Sequence, residues 1–102
     1  MENCIFCKIA NGEIPSTRVY ENDFVFAIND LHPKAPKHIL LIPKAHIENF
    51  ANLEDKNLAM ELYGAIHEII KQEKMVNFKL HVNNGAGAGQ EVMHLHIHIM
   101  GY

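Results

Sequence analysis

The chain has 102 residues, 48% of them hydrophobic and 21% charged, which suits a single soluble domain spanning residues 1–102. A net charge of −3 without any basic run excludes a nucleic-acid backbone as partner. No apolar stretch approaches the ~18 residues of a membrane span, and Met1-Glu2-Asn3-Cys4 lacks the basic and apolar regions of a signal peptide, so the expected location is the cytoplasm. In chain order, residues 4–11 predict a short helix stopped at Gly12. Residues 17–20 and 24–30 predict strands joined by a hairpin turn at Glu21-Asn22-Asp23. Pro33 and Pro36 make residues 32–37 a loop, and residues 38–42 an apolar strand ended by Pro43. Asn52 is the expected cap of a helix running to about Lys74, with Leu58, Leu62, Ile66 and Ile69 on one face. Residues 78–83 predict a strand, residues 84–89 a glycine-rich loop, and residues 92–100 a long alternating strand. Hairpins rather than βαβ units predict an α+β fold: a five-stranded antiparallel sheet, one long helix and a short N-terminal helix.

Two features carry chemistry. His94, His96 and His98 alternate with Leu95, Ile97 and Ile99, so the three imidazoles share one strand face. Such a cluster holds mixed charge states near neutral pH, which suits a nucleophile beside an acid; two of the rings would equally suit a metal. Just before it, Asn83–Glu91 contains Gly85, Gly87 and Gly89, and glycine lets backbone N–H groups surround a phosphate. The loop matches neither the Walker nor the dinucleotide glycine pattern. Cys4 and Cys7 form a C-x-x-C pair that reads as two buried thiols or as a redox or metal pair; a structural disulfide is not expected in a reducing cytosol.

The segment from Gly89 to Met100 resembles the signature of the histidine triad family, His-φ-His-φ-His-φ-φ with φ apolar. The runs Ile5-Phe6-Cys7-Lys8-Ile9, Glu13-Ile14-Pro15 and Ala35–Lys44 are similar to the Hint-type branch, the purine nucleoside phosphoramidases, and stand in the same order. The resemblance implies a two-step hydrolysis of nucleoside 5′-phosphoramidates or related AMP- or GMP-type conjugates, with His96 as nucleophile. A backbone carbonyl would fix its tautomer, His98 would bind phosphate oxygens, and His38 would support the triad from a neighbouring strand. Further phosphate donors would come from Asn83, Gly89, Gln90, and the backbone near Glu91 and Val92. Asp30 would hold the ribose hydroxyls, with Ile5, Phe6, Ile9, Ile28, Asn29 and Leu31 walling the base pocket.

By the same resemblance, to bacterial members and to the galactose-1-phosphate uridylyltransferases, Cys4, Cys7, His46 and His94 would bind a structural zinc; no organic cofactor is expected. A homodimer is expected, joined across the long helix and a strand edge. Asn29 and Glu91 depart from the branch, standing where a histidine and a serine are common. The Hint-type C-terminal tail is missing after Tyr102, which leaves substrate choice open. The alternatives are a dinucleoside polyphosphate hydrolase, a nucleotide-binding interaction module with little turnover, and a hydrolase using a metal-activated water.

Overall fold

The computed structural model describes residues 3–102. Its elements are α1 (Ile5–Ala10), β1 (Arg18–Glu21), β2 (Val25–Asn29), β3 (Lys37–Pro43), α2 (Lys56–Gln72), β4 (Phe78–His81) and β5 (Ile97–Gly101). Short 3-10 turns occupy Phe50–Asn52 and Ala86–Ala88. The strands form one antiparallel sheet in the order β1-β2-β3-β5-β4, which is the α+β architecture read from the sequence. No helix among the described residues is long and apolar enough to cross a membrane.

Period-two alternation gives the sheet two different faces. Val25, Ala27, Ile39, Leu41, Ile97 and Ile99 pack against Leu62, Ala65 and Ile69 of α2. Phe26, Leu40 and Ile42 face the other way and pack against Phe6 and Ile9 of α1. The functional side chains lie on this second, thinly covered face. Six residues are too few for an isolated helix to persist in water. α1 is held instead by tertiary contacts: Cys4 caps it by accepting from Cys7 N–H, and the Arg18 guanidinium donates to Ile9 O at 2.7 Å.

Three element boundaries differ from expectation. α2 is capped by Asp55, whose carboxylate accepts from the N–H groups of Asn57 and Leu58, and not by Asn52. Asn52 instead closes a 3-10 turn capped by Asn49. The helix ends at Gln72 because Lys74 takes φ +55°. The C-terminal strand begins at Ile97 rather than residue 92: Leu95 N–H donates to Ile47 O, so residues before Ile97 run outside the β3–β5 ladder. Leu95 still reaches the α2 side of the core, and the histidines still turn to the α1 side.

Candidate active site and metal centre

His96 and His98 lie with ring centroids 5.2 Å apart. The His96 Nδ1–H donates to His94 O at 2.8 Å. That bond places the proton on Nδ1 and leaves a lone pair on Nε2. Phe6 of α1 packs edge-on against the same ring at 5.2 Å.

The tautomer of His98 follows from a chain of bonds. Lys34 N–H donates to His38 Nδ1 at 3.0 Å. A nitrogen that accepts cannot carry a proton, so His38 is neutral with its proton on Nε2. That proton goes to His98 Nδ1 at 2.8 Å, with Asp30 Oδ2 3.4 Å away from the same nitrogen. His98 therefore carries its own proton on Nε2. Burial, then the neighbouring His96, His38 and His81 rings, push the His98 pKa down to about 4. It is a neutral N–H donor at neutral pH, beside the Nε2 of His96.

His94 is wired the other way. It is fully buried, and its Nε2–H donates to Pro43 O at 2.8 Å. The bare Nδ1 faces Cys4 Sγ at 3.2 Å and Cys7 Sγ at 3.5 Å. His46 Nδ1 faces Cys7 Sγ at 3.3 Å. The four donor atoms lie within 4.8 Å of one another. A tetrahedral zinc with ordinary Zn–S and Zn–N lengths sets N···S edges of about 3.5 Å, so the donor set fits that ion. The Pro43 carbonyl supplies the outer hydrogen bond that orients a metal-bound imidazole. Burial, followed by the neighbouring Cys4 thiol, raises the Cys7 pKa in the metal-free arrangement.

The glycine loop is more ordered than its composition implies. Gln90, only 3% exposed, accepts from Gly85 N–H and donates to Glu48 O and Val92 O. Its amide is committed to the loop itself. The N–H groups of Ala88, Gly89 and Gln90 close turns onto Gly85 and Ala86. Those of Glu91 and Val92 enter none of the backbone bonds among the described residues, and both residues line an open cleft of about 860 Å³ that reaches Cys4 and Ile5.

The other expected binding residues spread along this face. Phe6 and Ile9 are buried core, Ile28 packs beside them, and Ile5 is half-exposed. Asp30 Oδ1 accepts from His32 N–H while Oδ2 faces His38. Asn29 is exposed, and Leu31, at 89% exposure, stands apart from the rest. Two residues carry more than their sequence context suggested. Gln90 organises the loop from inside, and His81 stands opposite His98 across the β4–β5 ladder. Only the antiparallel register of those strands reveals the second.

Comparison with known proteins gives one answer. A sequence model of the HIT domain matches residues 11–102. The chain is 47% identical to Protein HitA of Neisseria gonorrhoeae over 104 residues, covering 99% of this chain and 97% of HitA. Identity to Protein hit of Bacillus subtilis is 44% over 103 residues, covering 97% and 70% respectively. The solved structure of a histidine triad protein from Clostridium difficile superposes with a TM-score of 0.93 at 46% identity, covering 100% of this chain and 92% of that one. A HIT family hydrolase from Clostridium thermocellum does so with a TM-score of 0.93 at 40% identity and the same coverage. Matched in sequence and in fold over nearly its whole length, the chain belongs to the HIT, or histidine triad, family.

Proposed function

We propose that this protein is a nucleotidyl hydrolase that cleaves nucleoside 5′-phosphoramidates, or related AMP- or GMP-type conjugates, through a nucleotidyl-histidine intermediate. The observation that carries the reading is the pairing of opposite tautomers: a lone pair on His96 Nε2 beside a proton on His98 Nε2. His96 Nε2 attacks the α-phosphorus, the P–N bond breaks, and the departing amine leaves with the bonding pair and takes a proton from solvent. Water then attacks the same phosphorus and loses a proton to solvent, while the P–N bonding pair returns to His96 Nε2. One difficult displacement becomes two easier ones. His98 Nε2–H donates to the non-bridging oxygens as charge builds on them. His94 O holds the Nδ1 proton of His96 throughout, which favours the cationic phosphoimidazole. The Asn83 carboxamide and the N–H groups of Glu91 and Val92 face the phosphate, on a loop whose Gly89 and Gln90 N–H groups are spent on its own turns rather than on the anion. Asp30 accepts from the ribose hydroxyls, and the base lies along Ile5, Phe6, Ile9, Ile28 and Asn29, with Leu31 standing off the pocket.

Zinc is the ion that the thiolate–imidazole set prefers over magnesium or calcium. Four protein ligands leave no open position, so its role is structural: it fixes α1 against the nucleophile's strand. Elemental analysis of protein purified without chelators tests this, and absence of zinc sinks it. The working compartment is the cytoplasm, where both thiols stay reduced.

A homodimer is supported by the surface. α2 covers β2 and β3, leaving Phe78 and Leu80 of edge strand β4 exposed on the same face; Met60 and Tyr63 of α2 are more exposed still. A second copy would cover both and pair the open edge. A monomeric mass in light scattering at micromolar concentration refutes it.

The deciding experiment for function is a turnover screen of adenosine and guanosine 5′-phosphoramidates against dinucleoside polyphosphates, with His96→Ala as control. Phosphoramidate turnover that vanishes in the control is the expected result. Preferential cleavage of polyphosphates, or turnover that survives in the control, overturns the reading.

A further inference from the structure

β4 carries an imidazole that the mechanism above leaves unused. His81 is the direct partner of His98 in the β4–β5 ladder. Directly paired residues project from the same face, and the two rings meet edge-on with centroids 5.6 Å apart. His81 Nε2 lies 2.6 Å from Asn83 Oδ1. On its other side, Asn83 Nδ2 donates to Gly89 O at 3.4 Å.

A carboxamide has one donor end and one accepting end. With Nδ2 turned to a carbonyl, Oδ1 must face His81, and His81 must carry its proton on Nε2. The opposite rotamer of Asn83 would set two acceptors, Oδ1 and Gly89 O, against each other. The three groups thus satisfy one another in a single arrangement, and it leaves the second Nδ2 hydrogen of Asn83 free. Gly89 suits this arrangement through its backbone: its φ of +92° is one that glycine adopts without strain, and Asn83 Nδ2 lies close by, 3.7 Å from where a Cβ would stand.

We propose, building on the nucleotide reading above, that His81 is a positioning residue for phosphate recognition. It holds the Asn83 carboxamide with its N–H donors turned to the glycine loop and to the anion bound between His96 and His98. His81 itself touches no reacting atom. Without it, Asn83 loses the partner that fixes its accepting end, and the amide rotates among several orientations.

Calorimetric titration of the protein with AMP and with adenosine tests this. His81→Val should weaken AMP binding about three- to tenfold, the worth of one net hydrogen bond, and leave adenosine binding unchanged. His81→Gln, whose side-chain N–H can reach the same Oδ1, should recover most of the loss. In an Asn83→Ala background, His81→Val should add nothing further, because the two act as one unit. Equal weakening of AMP and adenosine, full AMP affinity in His81→Val, or an undiminished effect in the Asn83→Ala background overturns the role of His81 alone. Absence of AMP binding by the wild type overturns the nucleotide reading, and the role of His81 with it. Valine suits an edge strand; should His81→Val fail to fold, His81→Thr takes its place in the same comparison.

Discussion

At His94 the ring gives its Nε2 proton to Pro43 O and turns a bare Nδ1 to two thiols. Two residues on, His96 gives its Nδ1 proton to His94 O and keeps Nε2 bare. Two residues further, His98 Nδ1 accepts a hydrogen bond from His38 Nε2–H, so its own proton sits on Nε2. Alternation along the chain sends all three rings to one side, but their chemistry is set by what meets the second nitrogen of each. A backbone carbonyl leaves a bare nitrogen among thiols at one end, a different carbonyl leaves a bare nitrogen on the open face in the middle, and another histidine leaves an N–H donor at the far end.

The sharpest way to break the contrast is His96→Asn. Turnover should fall by at least four orders of magnitude, a barrier increase on the order of 5 kcal/mol or more, while AMP binding and zinc content persist. Retention of more than a few per cent of activity would mean that His96 is not the nucleophile. His98→Ala should be milder, about 10²–10³-fold in kcat as for one lost charge-stabilising donor, again with zinc content unchanged. A fall in bound zinc in that variant would show the two ends to be one site.

Cys4→Ser/Cys7→Ser should reverse the pattern, with zinc lost and α1 detached. Phe6 and Ile9 of that helix are buried against Phe26, Leu40 and Ile42 of the sheet, and burial of such side chains contributes roughly 1.5–3 kcal/mol each. The chemical-denaturation midpoint should drop accordingly, while circular dichroism keeps the sheet signal. An unchanged midpoint would argue that the four donors hold no structural ion.

The smallest effect concerns pH. Burial lowers the folded pKa of both His98 and His94, that of His98 to about 4. Between the unfolded value near 6.5 and about 4, the unfolded chain binds more protons than the folded one. Stability should therefore be at its full value above pH 6.5 and decline as pH falls toward 4. His98→Asn should flatten part of that decline, measured as denaturation midpoints from pH 7.5 to 4.5. A decline of unchanged slope would place the titration elsewhere.

Much of this was legible in the sequence because the signals are local. Alternation at residues 94–99 and the glycines at 85, 87 and 89 needed no tertiary information. The cap of α2 was not legible, since Asn52 and Asp55 are both good capping residues and only the 3-10 turn that takes up Asn52 decides between them. The family resemblance makes Gln90 a phosphate donor; its side chain is instead buried and bonded to Glu48 O, 42 residues away in the chain. His81 was missed for the same kind of reason, because its neighbourhood is created by the register of β4 on β5.

The two-point attachment of α1 makes this short helix a natural gauge of local opening. Its backbone bonds, Lys8 N–H to Cys4 O and Asn11 N–H to Cys7 O among them, persist only while the thiols and the Arg18 contact hold both ends. Amide hydrogen exchange at Lys8 and Asn11 should therefore track occupancy of the thiol–imidazole centre and stay nearly independent of exchange in the sheet. A chelator would then convert this segment from a slow-exchanging part of the active-site wall into a fraying terminus, visible by mass spectrometry before any global unfolding.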